Sequence, residues 1–197
     1  MTDALIIDSG GANLASLQYA FARLGAATRV SADPDALAAA RRVVLPGVGS
    51  AADAMRRLRA SGLDSVLPKL TQPLLGICLG MQLLFEHSAE GDVECLGILP
   101  QRVRRLQPST ERPVPHMGWN CLQTVQADPL LEGLGALPYF YFVHGYAAPV
   151  GPFTLAPVEY GESFSAVVRR ANFWGVQFHP ERSAAAGARV LANFLSV

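Results

Sequence analysis

Pro73-Leu74-Leu75-Gly76-Ile77-Cys78-Leu79-Gly80-Met81-Gln82 is the stretch on which the fold turns. An apolar run reaches a glycine, passes a cysteine and resumes as an apolar segment. The pattern predicts a buried strand over Pro73–Ile77, a sharp turn at Cys78, and a helix from Leu79 to His87. Small residues two positions to either side of Cys78 let such a turn pack closely.

The segments before it repeat the same unit. Ala4-Leu5-Ile6-Ile7-Asp8 reads as a buried strand and Ser9-Gly10-Gly11 as a turn. Asn13 then N-caps a helix with Leu14, Leu17, Phe21 and Leu24 on one face, closed by Gly25. The turn lacks the spacing of a dinucleotide or P-loop fingerprint, so a tight turn at a sheet edge is the preferred reading. Thr28–Val30 reads as a short strand, and Asp33-Pro34 starts a helix through Ala40. Arg42–Leu45 is a further strand, broken by Pro46-Gly47-Val48-Gly49. A helix then runs through Met55 and Leu58 to Gly62, with Arg56, Arg57 and Arg59 on its solvated side. Strand and helix alternate, which predicts an α/β fold: an open, mostly parallel sheet flanked by helices. Chemistry in such sheets collects beyond the carboxyl ends of the strands, where Pro46–Gly49 and Cys78 both fall.

After Gly91 the pattern changes to short strands punctuated by Pro and Gly. Gly97–Pro100, Arg102–Leu106, Cys121–Val125, Tyr139–His144, Leu155–Tyr160, Ala166–Arg170 and Phe173–His179 are expected strands, largely antiparallel, with Val114–Asn120 as a loop. Gly187–Leu195 closes as a helix with Val190, Leu191, Phe194 and Leu195 on its apolar stripe. No linker, repeat or low-complexity segment interrupts the chain, so a single domain over residues 1–197 is expected.

Composition excludes several classes. Lys+Arg and Asp+Glu both total 16, so no basic excess points to nucleic acid. No apolar run approaches a membrane span, and the N-terminus lacks the marks of a secretory leader. Cys78, Cys95 and Cys121 are an odd set without C-x-x-C spacing, which argues against a disulfide framework or a metal site. A reduced, cytoplasmic setting without a cofactor is expected.

A cysteine at a strand-to-helix turn is exposed to attack chemistry and gains thiolate character from the helix N-terminus. It needs a base and an orienter. Of the four histidines, His87 would lie two turns down the Cys78 helix, and His116 sits in the expected loop. His179 ends the last strong strand, with Glu181 at i+2 placed to fix its tautomer. His144 ends the aromatic strand and is the second candidate base after His179, though a satisfied core histidine is the preferred reading there. Acyl transfer also needs oxyanion donors, for which the Leu79 N–H and the Val48/Gly49 backbone are candidates.

Gly76-Ile77-Cys78-Leu79-Gly80-Met81-Gln82 and Gln177-Phe178-His179-Pro180-Glu181 together resemble the two signatures of class I (triad) glutamine amidotransferases, in this order and about 100 residues apart. Within that class, Pro46-Gly47-Val48-Gly49, Pro115-His116-Met117-Gly118-Trp119-Asn120 and Tyr141-Phe142-Val143-His144 resemble the glutaminase subunits of imidazole glycerol phosphate synthases. The resemblance covers nearly the whole chain. It implies a flavodoxin-like sheet with extra antiparallel strands in the second half. It also implies a Cys78–His179–Glu181 triad that releases ammonia from L-glutamine through a thioester. Val48, Gly49 and Leu79 would hold the oxyanion. Gly49, Gln82, Glu90, Gly145 and Tyr146 match glutamine-holding positions. Asn13, Met117, Trp119, Asn120 and Arg182 match an interface with a (β/α)₈ cyclase subunit, a heterodimer partner fed through an ammonia channel. With no synthetase segment in the chain, the acceptor chemistry is expected on that second chain. Three departures stand out: Asp8-Ser9-Gly10-Gly11-Ala12-Asn13 where the family has Asp-Tyr-Gly-x-Gly-Asn, Gly145 for a Ser or Thr, and Arg182 for a Lys. The rival reading is another cysteine hydrolase on the same sheet, such as a peptidase, active without a partner. A non-catalytic scaffold would be expected to have a broken triad.

Overall fold

Strands buried on both faces read as unbroken apolar runs, and those runs form the centre of the molecule. The computed structural model describes residues 2–8, 14–123 and 125–197. Its first half contains β1 (Ala4–Ile7), α1 (Leu14–Arg23), β2 (Thr28–Ser31), α2 (Pro34–Ala38), β3 (Val43–Gly47), α3 (Ala51–Ala60), α4 (Leu63–Val66), β4 (Leu74–Cys78) and α5 (Leu79–Gln82). The second half contains β5 (Phe85–Ser88), β6 (Val93–Glu94), β7 (Leu99–Arg105), β8 (His116–Cys121), β9 (Tyr139–His144), β10 (Tyr146–Ala147), β11 (Thr154–Tyr160), β12 (Glu162–Arg170), β13 (Phe173–Val176) and α6 (Ala184–Phe194).

The main sheet has the order β11-β12-β13-β4-β3-β1-β2. Strands β13, β4, β3, β1 and β2 are parallel, while β12 pairs antiparallel with both β13 and β11. The parallel part is a doubly wound order in which β1 and β3 diverge. Alternate residues feed two cores. Ala4 and Ile6 join Val44, Leu75 and Trp174 in one, with Phe21 of α1 and Phe194 of α6. Leu5 and Ile7 join Val43, Leu45 and Leu74 in the other, with Met55 and Leu58 of α3. Two smaller sheets, β10-β7-β5-β6 and the β8–β9 ribbon, complete the fold.

Several expectations need correction. The helix from Leu79 stops at Gln82, and Phe85–Ser88 is strand β5. Leu83, Leu84 and Phe85 are all buried, and their carbonyls accept from Leu96, Leu99 and Gly97. Tertiary partners from residues 95–103 take the backbone that a longer helix would have used internally, so His87 sits on a strand. The expected loop Val114–Asn120 is largely strand β8, paired with β9 in the register His116↔His144 to Cys121↔Tyr139. Of the described residues beyond Cys121 in the expected strand, Leu122, Gln123 and Val125 are not in a strand; the Leu122 and Gln123 N–H groups donate to the Pro138 and Pro157 carbonyls. Gly97–Pro100 and Arg102–Leu106 are not two strands; they merge into β7. The Asp33 N-cap is present, but its helix ends at Ala38. The last strand ends at Val176. The Ser9–Asn13 turn and the Asn13 cap lie outside the described residues. Among those described, no helix is long and apolar enough to cross a membrane.

Candidate active site

Cys78 ends β4 with φ 54° and ψ −113°, a conformation that L-residues rarely adopt. Such strain costs about 1–3 kcal/mol and persists only where the surroundings enforce it. They do so here through glycine. A Cβ on Gly76 would lie 2.7 Å from the Gly80 carbonyl oxygen, and one on Gly80 would lie 1.8 Å from the Leu45 carbonyl oxygen. The two glycines let α5 drop onto β3 and β4, and the sulfur is left at the rim. With α5 only one turn long, the dipole contribution expected from a longer helix shrinks to that of its first N–H groups.

His179 follows β13 in extended conformation (φ −98°, ψ 97°) and leads into a 3-10 turn, Pro180–Arg182. Its N–H donates to the Tyr141 carbonyl at 2.9 Å. Its own carbonyl accepts from the Ser183 hydroxyl at 2.6 Å, and Ser183 Oγ in turn accepts from the Tyr141 N–H at 3.0 Å. The backbone is thereby pinned to β9. The turn, rather than strand alternation, brings Glu181 Oε1 to 2.9 Å from His179 Nδ1. Among the described residues, His179 Nε2 and Glu181 Oε2 are buried without a hydrogen-bond partner. Burial works to lower the His179 pKa, but the facing Cys78 sulfur and then Glu181 outweigh it and push it up to about 10. The ring is therefore an imidazolium at neutral pH, the counter-charge a thiolate requires. Because its folded value lies above the ordinary 6.5, the stability it contributes is fully present below about pH 6.5 and is lost as pH rises towards 10. Nitrogen-15 NMR of His179 is expected to show a doubly protonated ring at pH 8 and a lower midpoint in Cys78→Ala. A neutral ring at pH 8 in the unmodified chain would overturn this.

One cavity of about 420 Å³ gathers Cys78, His179, Glu181, Val48, Gly49, Leu79, Gln82, Glu90, Gly145, Tyr146 and Arg182. Its size suits a small molecule. Gln82 commits both Nε2 hydrogens inside the protein, to the Tyr146 carbonyl at 2.8 Å and to Gln177 Oε1 at 2.9 Å. What it can offer a substrate is Oε1, an acceptor. Glu90 Oε2 accepts from the Ala51 N–H at the start of α3 at 3.0 Å. Burial raises its pKa, with the Ala51 N–H opposing.

The remaining expected residues lie elsewhere. Asn13 is outside the described residues. Met117 and Trp119 are 64% and 53% exposed on the outer face of the ribbon, so they lie on open surface rather than in the cavity. Trp119 meets Tyr141 edge-on at 6.2 Å, and the Arg182 guanidinium lies 4.5 Å above the Tyr141 ring. Asn120 turns inward, its Nδ2 donating to the Glu159 carbonyl at 3.0 Å and its Oδ1 accepting from the Cys121 N–H at 2.8 Å. His87 pairs with Asp92 at 2.9 Å and does not line the cavity. His144 does line the cavity, but it is buried with both ring nitrogens bonded within the chain. Two groups escaped sequence reasoning. Gln177, fully buried, brings its Nε2 to 3.8 Å from the Cys78 sulfur; its place two residues before His179 was the available signal. Ser183 had no signal, since its partners come from β9.

A strained cysteine on a strand-to-helix turn, backed by a histidine–glutamate pair from the neighbouring strand, is the arrangement of the class the sequence resembles. The profile described as glutamine amidotransferase class-I matches residues 5–197, and the chain belongs to that family. More particularly, it is 56% identical over 197 residues to the imidazole glycerol phosphate synthase subunit HisH of Xanthomonas oryzae pv. oryzae (strain MAFF 311018), covering 100% of this chain and 98% of that one. It is 54% identical, with the same coverage, to the HisH subunit of Xylella fastidiosa (strain Temecula1 / ATCC 700964). The structure of PurLQS from Thermotoga maritima superposes with a TM-score of 0.71 at 17% identity, covering 98% of this chain and 97% of that one, a likeness of fold alone.

Proposed function

We propose that this chain, as a single amidotransferase domain, is the glutaminase subunit of an imidazole glycerol phosphate synthase in histidine biosynthesis. The observation that carries the reading is the Cys78–His179–Glu181 cluster at the wall of a cavity sized for an amino acid. Full-length identity to HisH subunits supports the choice of pathway.

Gly49, Gln82, Glu90, Gly145 and Tyr146 hold L-glutamine with its side-chain amide at the sulfur. The Cys78 thiolate attacks the amide carbon, and the oxygen takes up negative charge against the Leu79 N–H and the Val48/Gly49 backbone. Collapse breaks the C–N bond while His179 gives its Nε2 proton to the leaving nitrogen, releasing ammonia. Water then attacks the thioester, yields a proton to His179, and glutamate leaves as the sulfur is expelled. Glu181 keeps the imidazole oriented throughout. A thiolate mechanism fits a reduced, cytoplasmic setting.

The ammonia passes to a (β/α)₈ cyclase subunit in a heterodimer, which forms imidazole glycerol phosphate and aminoimidazole carboxamide ribotide. Met117, Trp119 and Tyr139 present an exposed apolar stripe on the ribbon beside the cavity mouth, with Arg182 at its edge and Asn13 expected nearby. Such a stripe is the surface an obligate partner covers. The chain alone is expected to hydrolyse glutamine slowly, and much faster with the cyclase and its ligand. Trp119→Ala should weaken the pairing by roughly 30-fold, on the ~2 kcal/mol scale of an aromatic anchor. Equal hydrolysis with and without the partner would sink the coupling.

A further inference from the structure

Two buried histidines, His116 and His144, lie on the inner face of the β8–β9 ribbon, His144 at the cavity wall, and the reaction as written uses neither. They face each other across β8 and β9, with His116 Nδ1 3.0 Å from His144 Nε2. His144 Nδ1 lies 2.9 Å from the Tyr146 carbonyl, and His116 Nε2 lies 3.4 Å from Asn120 Nδ2.

One arrangement of protons satisfies these neighbours. A carbonyl only accepts, so His144 carries its proton on Nδ1. Its neutral ring then presents Nε2 as an acceptor, and His116 donates from Nδ1. His116 Nε2 is left to accept from Asn120, whose amide is oriented independently by the Glu159 carbonyl and the Cys121 N–H. Both rings must be neutral for this to hold, and their surroundings keep them so. Burial, then Arg112, lowers the His116 pKa to about 4. Burial lowers that of His144 to about 3, with the Tyr146 carbonyl opposing and His116 and His179 adding to the fall.

The chain of bonds continues on the other side of the same carbonyl. The Tyr146 oxygen takes its second donor from Gln82 Nε2, which gives its other hydrogen to Gln177 Oε1. Gln177 Nε2 is thereby turned towards the Cys78 sulfur. Both lone pairs of one carbonyl are filled, one from the ribbon and one from the pocket.

We infer that His116 and His144 are positioning residues for glutamine: they hold the Tyr146 carbonyl and, through it, the Gln82 amide, so that the ribbon sets the shape of the glutamine pocket. The inference rests on the glutaminase reading. It also gives Asn120 an inward task, since its amide is committed within the chain.

The test uses the complex with the cyclase subunit. His116→Phe keeps a ring stacked between Phe142 and Tyr160, at 5.0 and 4.0 Å in the native chain, but removes both polar contacts. His116→Asn restores a donor near the Nδ1 position. The Phe variant should raise KM for glutamine by about tenfold, the scale of one lost hydrogen bond, with kcat and ammonium-dependent synthesis unchanged. The Asn variant should recover most of that loss. Nitrogen-15 spectra of the unmodified chain at pH 7 should show both rings neutral and protonated on Nδ1. An unchanged KM in the Phe variant, an equal fall in ammonium-dependent synthesis, or a His144 protonated on Nε2 would overturn the positioning role alone. A native complex unable to use glutamine would overturn the glutaminase reading and this role with it.

Discussion

Cys78→Ala is expected to abolish glutamine-dependent synthesis by the complex while leaving synthesis from added ammonium intact. Without the sulfur there is no thioester, and neither His179 nor a water in its place supplies a comparable nucleophile. Loss of a nucleophile from a triad lowers turnover on the order of 10⁴- to 10⁶-fold. The fold should survive. The sulfur's hydrogen-bond contacts are long, 3.8 Å from Gln177 Nε2 and 3.9 Å to the Val143 carbonyl, and alanine keeps the Cβ that sits in the strained turn. On the function proposed above, added ammonium would feed the partner's reaction directly, without the sulfur. The measurement is product formation by the complex with glutamine and, separately, with ammonium salt. Loss of both activities in a folded complex would show that Cys78 acts structurally.

Gly80→Ala should be among the most destabilising single-methyl changes in the chain, by roughly 3 kcal/mol or more, beyond the usual range for overpacking. The added Cβ would lie 1.8 Å from the Leu45 carbonyl oxygen and 2.7 Å from its carbon. That carbonyl belongs to β3, held in the ladder where Leu45 is opposite Gly76, so it has no room to retreat. Gly49→Ala is the control. Gly49 has open space around it, and alanine there meets only the cost of a φ of +87°, about 1–2 kcal/mol. Urea unfolding of both variants separates steric exclusion from backbone strain. A Gly80→Ala variant as stable as Gly49→Ala would mean that the turn packs differently from the description above.

Much of the site was legible because its parts are local. The elbow is a contiguous pattern of glycine, cysteine and glycine, and close packing on both sides leaves no freedom at those positions. His179 and Glu181 are two residues apart, and although the reason expected, strand alternation, gave way to a 3-10 turn, the short separation keeps the two side chains within reach. What sequence reasoning missed was decided by contacts distant in the chain. The apolar run after Gln82 suits a buried helix or a buried strand equally well, and backbone partners near residues 95–103 settled it as strand. The Pro- and Gly-containing stretch around His116 read as a loop until β9 supplied a pairing edge.

By itself the sequence determined the apolar periodicity that builds the parallel sheet, the glycines that force Cys78 into a strained turn, and the residue types for acyl transfer. These are properties of spacing and of backbone sterics, which a linear chain carries. Only the tertiary structure decided which way each amide and imidazole donates, and that Gln177, His144 and Asn120 belong to one connected set of bonds. Those facts depend on carbonyls and N–H groups from strands far apart in the chain, and a proton's position is fixed only when the group opposite it is known.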